Sequence, residues 1–60
     1  MNTNLPQDPI ILLSYINTQL RDFHDDLDDL CLTLGLDRAE LVRRLADIGY
    51  VYDPAQNRFV

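Results

Sequence analysis

The chain contains no lysine: its five basic residues are all arginine, Arg21, Arg38, Arg43, Arg44 and Arg58, against ten acids, giving a formal charge of -5. A strongly basic footprint for a polyanion is therefore missing. Cysteine is equally scarce. Cys31 stands alone, which rules out an intramolecular disulfide and suits the reducing cytoplasm, the compartment expected for this chain. The opening MNTNLPQDP has neither the basic flank nor the apolar core of a secretory signal. The longest apolar run, Pro9 to Leu13, falls far short of the roughly 20 residues that span a bilayer, so no membrane span is expected. Two glycines, three prolines and 47% hydrophobic residues, with no low-complexity tract, describe a folded globule rather than a disordered segment.

Scarcity also limits the chemistry. His24 is the only histidine and stands beside Asp25 and Asp26; adjacent residues at a helix boundary do not converge on one ion, and no second histidine or thiol pair joins them. It reads as a surface histidine. Asp25, Asp26, Asp28 and Asp29 lack the central glycine and closing glutamate of a calcium loop. Cys31 falls on an apolar helix stripe, where a thiol acts as a small core group rather than a nucleophile. There is no glycine-rich phosphate loop, no nucleophile elbow and too little chain to enclose a ligand-sized pocket. No metal, no cofactor and no enzymatic activity are expected.

What the chain does contain is periodic apolar patterning. Its 60 residues allow one domain spanning 1–60, whose core is marginal because a chain of this size buries only about 60% of its unfolded surface. Asp8 followed by Pro9 starts a helix, the aspartate capping free N–H groups and the proline suiting the first helical position. Over residues 9–23, Leu12, Leu13, Ile16, Leu20 and Phe23 share one stripe, with Ser14, Asn17, Thr18, Arg21 and Asp22 opposite. Ile10, Ile11 and Tyr15 widen the apolar surface beyond one neighbouring helix.

A second helix, about 26–34, follows the HDDLDD acids, with Asp25 or Asp26 as its cap. Leu27, Leu30, Cys31 and Leu34 form its seam, Leu32 points away, and Gly35 ends it in a left-handed turn. The third helix, about 38–48, has the strongest local signature: Asp37 as cap, Glu40 three residues on to complete a capping box, and Leu36 placed to staple onto Leu41. Leu41, Val42, Leu45 and Ile48 make its buried stripe and Gly49 its stop. The tail YVYDPAQNRFV reads as a hairpin over about 50–60, with Asp53-Pro54 opening the turn and Asn57 taking the left-handed position. An isolated hairpin is barely stable in water, so Tyr50, Tyr52 and Phe59 must pack on the helices or on another chain. The fold class is mainly α: three helices, the last two in a helix-turn-helix-like pair, plus a short C-terminal β-hairpin.

Residues 30–45, LCLTLGLDRAELVRRL, match the apolar spacing of a DNA-binding helix-turn-helix, and a following hairpin resembles a wing. Charge weighs against it. The outer face of the third helix holds Glu40, Arg43, Arg44 and Asp47, whose i, i+4 spacing pairs Glu40 with Arg44 and Arg43 with Asp47, while the four aspartates of the preceding helix repel phosphate. A winged-helix-like regulator touching DNA through Arg38, Arg43, Arg44 and Arg58 is thus the alternative reading.

Three stretches, NLPQDPIILLSYINTQLRD (4–22), LDDLCLTLGL (27–36) and GYVYDPAQNRF (49–59), together resemble the family called domain of unknown function 4250. The resemblance implies a stand-alone bacterial protein and supplies no catalytic or binding residue. It singles out Asn17, Arg21 and Asn57, polar positions that periodicity does not require. Asn17 and Arg21, one turn apart beside Ser14, form a candidate partner-binding pair; the structural alternative gives Arg21 a nearby acid or a helix C-terminus to hold.

The leading expectation is a cytoplasmic interaction module that self-associates, as a homodimer, through Ile10, Ile11, Tyr15, Tyr52 and Phe59, or binds a protein partner. A weaker one uses the aspartates at 25–29 against a basic partner.

Overall fold

A computed structural model describes residues 5–60; positions 1–4, the start of the expected domain and of its polar lead, lie outside the described residues. The element order is α1 (Pro9–Asp22), α2 (Leu27–Leu34), α3 (Arg38–Ala46), β1 (Tyr52–Asp53) and β2 (Arg58–Phe59). The three-helix, hairpin-terminated architecture read from the sequence is the one observed.

Each helix starts on an aspartate whose side chain accepts orphan backbone N–H groups, as N-capping requires. Asp8 takes the N–H of Ile10 and Ile11, Asp26 that of Asp29 at 2.7 Å, and Asp37 those of Ala39 and Glu40. The capping box at α3 closes on one side only, because Glu40 turns its carboxylate to Arg43 instead of back to the cap.

The ends of α2 and α3 are glycine-dependent. Gly35 at φ 70 and Gly49 at φ 86 sit in the left-handed region. Past them the N–H of Leu36 returns to Cys31 O and that of Tyr50 to Leu45 O, each at 2.9 Å. This six-to-one bond defines the Schellman motif, and a non-glycine residue there meets backbone strain. The motif stops α3 at Ala46 rather than near 48, since the turn over 47–49 is already winding out. α1 ends one residue early as well. Phe23 leaves helical geometry at φ -130, which swings its ring off the expected stripe and leaves it 69% exposed.

Leu12, Ile16 and Leu20 of α1, Leu27, Leu30 and Cys31 of α2, Leu41 and Leu45 of α3, and Phe59 of β2 make one core. Among the described residues no polar or charged side chain is buried in it. The hairpin pairs Tyr52 with Phe59 and Asp53 with Arg58 in antiparallel register, and a reciprocal pair of 2.9 Å bonds between Val51 and Val60 extends it. Tyr52 and Phe59 stack at a tilt, ring centroids 5.5 Å apart, as cross-strand aromatic neighbours do.

This packing corrects part of the expected self-association surface. Phe59 is 1% exposed and belongs to the core of its own chain; Tyr52 is half-buried with its hydroxyl bonded internally. A 60-residue domain is short of core, so the wholly apolar ring of its C-terminal hairpin goes inward.

Candidate binding groove

Two asparagines fasten the hairpin to the helices. Asn17, midway along α1, accepts the Phe59 N–H on Oδ1 at 2.8 Å and donates Nδ2 to the Phe59 carbonyl at 3.1 Å. A side-chain amide has the same donor and acceptor as a peptide group, so Asn17 completes the outer edge of β2 as a third strand would. Asn17, expected to face a partner, is instead spent within the chain.

Asn57 sits at φ 54, the one non-glycine residue with positive φ among those described. From there Nδ2 donates to the carbonyls of Leu20 (3.1 Å) and His24 (2.9 Å), while Oδ1 accepts the Tyr52 hydroxyl proton at 2.7 Å. The Tyr52 oxygen in turn accepts the N–H of Leu27 at 3.3 Å. One side chain thus satisfies orphan carbonyls at the end of α1 and, through Tyr52, an orphan N–H at the start of α2.

Fixing the hairpin this way leaves an open groove of about 670 Å³ between the outer flank of α1 and the hairpin turn. Its walls are Ile10, Leu13, Ser14 and Thr18 along α1, with Gln56 and Arg58 across from them. Sequence reasoning found no room for an enclosed pocket; this groove is open, made by laying an edge on a helix. It has a polarity. Ile10, 60% exposed, and Leu13 give an apolar end, whereas Thr18, Arg21, Gln56 and Arg58 gather at the end where the hairpin lies.

The two arginines of the groove differ. Arg21 reaches Asp22 with a forked pair, Nε to Oδ1 at 2.9 Å and Nη2 to Oδ2 at 3.0 Å. This hydrogen bonding and charge raise the guanidinium pKa, and the same bonds hold the Asp22 carboxyl below its ordinary value. Arg58 is exposed, and its guanidinium has no partner among the described residues.

The arginines of α3 are all engaged. Arg38 pairs with Asp28 at 2.8 Å. Arg43 takes both acids of its face, Glu40 at 2.8 Å and Asp47 at 3.5 Å, so the expected Glu40–Arg44 pair does not form. Arg44 is half-buried and donates to the carbonyls of Pro6 (3.4 Å) and Gln7 (3.1 Å), holding the lead into α1. Of the four candidate DNA contacts, Arg58 lines the groove and the three arginines of α3 do not. His24 also departs from its surface reading. Its side chain is only 8% exposed, with Nδ1 2.8 Å from Asp29 Oδ2, because the turn between α1 and α2 folds it inward. Cys31 is buried, and burial pushes its thiol pKa up. Among the described residues no three His, Cys, Asp or Glu side chains gather as a metal site, and no helix is long and apolar enough to cross a membrane.

The family model described as "domain of unknown function (DUF4250)" matches residues 6–59. The chain belongs to this family. The match runs from before α1 to the end of β2, and so takes in every element of the groove and both asparagine clasps. No curated protein and no solved structure matches the chain.

Proposed function

We propose that the protein is a non-enzymatic interaction module, needing no cofactor, and that its partner protein is held in the groove between α1 and the hairpin. The observation that carries this reading is the preformed groove itself: its far wall is fixed by the Asn17 and Asn57 bonds, its lining is partly apolar, and the Arg58 guanidinium along it has no partner among the described residues. A rigid concave surface loses little conformational entropy on binding, which is what preorganisation contributes to affinity. Self-association is the form of this reading in which the partner is a second copy. The exposed side chains then divide, Ile10 within the groove and Ile11, 58% exposed, on the flank outside it with half-buried Tyr15. The DNA reading has less support, since every arginine of α3 already has a partner.

A photoreactive amino acid installed at Thr18, in the groove, tests this in cells that make the protein. Crosslinking to a defined protein from Thr18, and not from Glu40 on the outer face of α3, is the expected result. Equal yields from both positions, or none from Thr18, refute it.

A further inference from the structure

Taking that groove as the contact surface, we infer that it receives a short extended segment of a partner protein bearing a carboxylate side chain on Arg58 and an apolar side chain on Ile10 and Leu13. The charge argument starts from Arg58. Each of the other four arginines is bonded to a carboxylate or to backbone carbonyls, whereas Arg58 keeps its five donors for something outside the described residues. On a chain of net charge -5, it is the one guanidinium among the described residues left without a partner to meet an acid. It is matched by one negative charge. A guanidinium and a carboxylate engage as two parallel N–H···O bonds, while Arg21, the other guanidinium lining the groove, is neutralised by Asp22 and leaves no second unpaired cation there for a phosphate dianion.

The spacing follows from the helix. Phe59 is bonded at Asn17, so neighbouring Arg58 lies beside the Asn17–Arg21 half of α1, and Ile10 lies seven residues before Asn17. At 1.5 Å per residue that is about 10 Å. An extended chain covers it in three to four residues at about 3.3 Å each, and because its side chains alternate, the apolar and acidic residues that share the groove face stand about four apart. Extended is also the form that fits. The outer edge of β2 at Phe59 is already occupied by Asn17, so recognition falls to the side chains of Ser14, Thr18 and Gln56 rather than to strand addition.

The ¹H–¹⁵N spectrum of the full chain tests this with acetyl-Leu-Leu-Ala-Ser-Glu-amide, the same peptide ending in Gln, and one with both Leu replaced by Ala. The expected result is saturable movement of the Ser14, Thr18 and Arg58 signals, including the Arg58 Nε–H. Binding weakens about five-fold for the Gln peptide and about as much for R58Q, as a partly solvated ion pair allows. R43Q leaves the affinity unchanged. Circular dichroism confirms that R58Q is folded. Equal affinity for the Glu and Gln peptides, with the groove signals still moving, overturns the carboxylate assignment and leaves the groove as contact surface; no groove signal moving with any peptide overturns both. Sedimentation of the wild type and R58Q decides the second-copy case. A dimer that R58Q abolishes means that the groove belongs to another copy of this chain, and decanoate saturating the same signals more tightly than the peptide means a small amphiphile. Either result overturns the inference.

Discussion

Replacing Asn57 tests the joint on which the tertiary structure turns. Asn57→Gly keeps the left-handed backbone but removes two donated bonds and one accepted bond, to Leu20 O, His24 O and the Tyr52 hydroxyl. At about 1 kcal/mol net for each hydrogen bond, and with some rehydration of these part-buried groups, the loss is about 2–3 kcal/mol. Asn57→Ala loses the same bonds and also places a Cβ at φ 54, adding about 1 kcal/mol. A 60-residue chain at roughly 0.05–0.15 kcal/mol per residue has about 3–9 kcal/mol in all. The glycine variant therefore melts about 10–20 °C lower, and the alanine variant stands near the edge of folding. Asn57→Asp sharpens the test. It keeps the acceptor for Tyr52 but turns a carboxylate on two carbonyl oxygens, so its folded pKa rises above the unfolded value of about 3.9. Its stability is then greatest below that unfolded value and falls as pH rises through the folded one. Urea unfolding followed by far-ultraviolet circular dichroism, repeated between pH 3 and 7, measures all three variants. The reasoning is refuted if Asn57→Gly lies within about 0.5 kcal/mol of wild type, or if Asn57→Ala is no less stable than Asn57→Gly.

The remaining predictions concern the core and one cap. Phe59→Ala removes a ring that is 1% exposed and costs about 3–5 kcal/mol, about a third or more of the whole stability, read as a large fall in the urea midpoint by circular dichroism; Leu32→Gln, at a side chain 84% exposed, changes the urea midpoint by less than about 0.5 kcal/mol equivalent. Asp37→Ala orphans the N–H groups of Ala39 and Glu40 and lowers stability by about 1 kcal/mol in the same assay, against a few tenths for Asp37→Gly. Cys31, buried and with its thiol pKa raised, reacts with iodoacetamide at pH 8 far more slowly in the native chain than in urea. A native rate equal to the unfolded one contradicts its place in the core.

Much of the fold was legible because its signals are local. An aspartate cap, a glycine at a helix end and an apolar stripe act within about five residues, so Asp8, Asp26, Asp37, Gly35 and Gly49 set the helices wherever the chain goes next. Where one local option competed with another, spacing alone did not choose. Arg43 and Arg44 both lie within reach of Glu40, and Arg44 went to Pro6 and Gln7, residues brought near only by packing α3 against the lead into α1. Phe23 falls on the stripe only if 100° steps continue past the point where the helix stops.

Asn17 and Asn57 mark the limit of such reading. The family resemblance singled them out, but their bonds reach 33 to 42 residues along the chain, and no pattern within a helix encodes a partner at that distance. The groove is decided the same way: Ile10, Leu13 and Thr18 are ordinary surface residues of an amphipathic helix until the hairpin is laid beside them. Three capped helices, their apolar faces and a terminal hairpin are written locally along the chain, because these follow from backbone hydrogen bonding and hydrophobic period. That the hairpin returns to α1, that its phenylalanine is core rather than interface, and that the Arg58 guanidinium finds no partner among the described residues are settled by the folded chain, because those outcomes depend on long-range hydrogen bonds and burial that exist only once the chain has closed on itself.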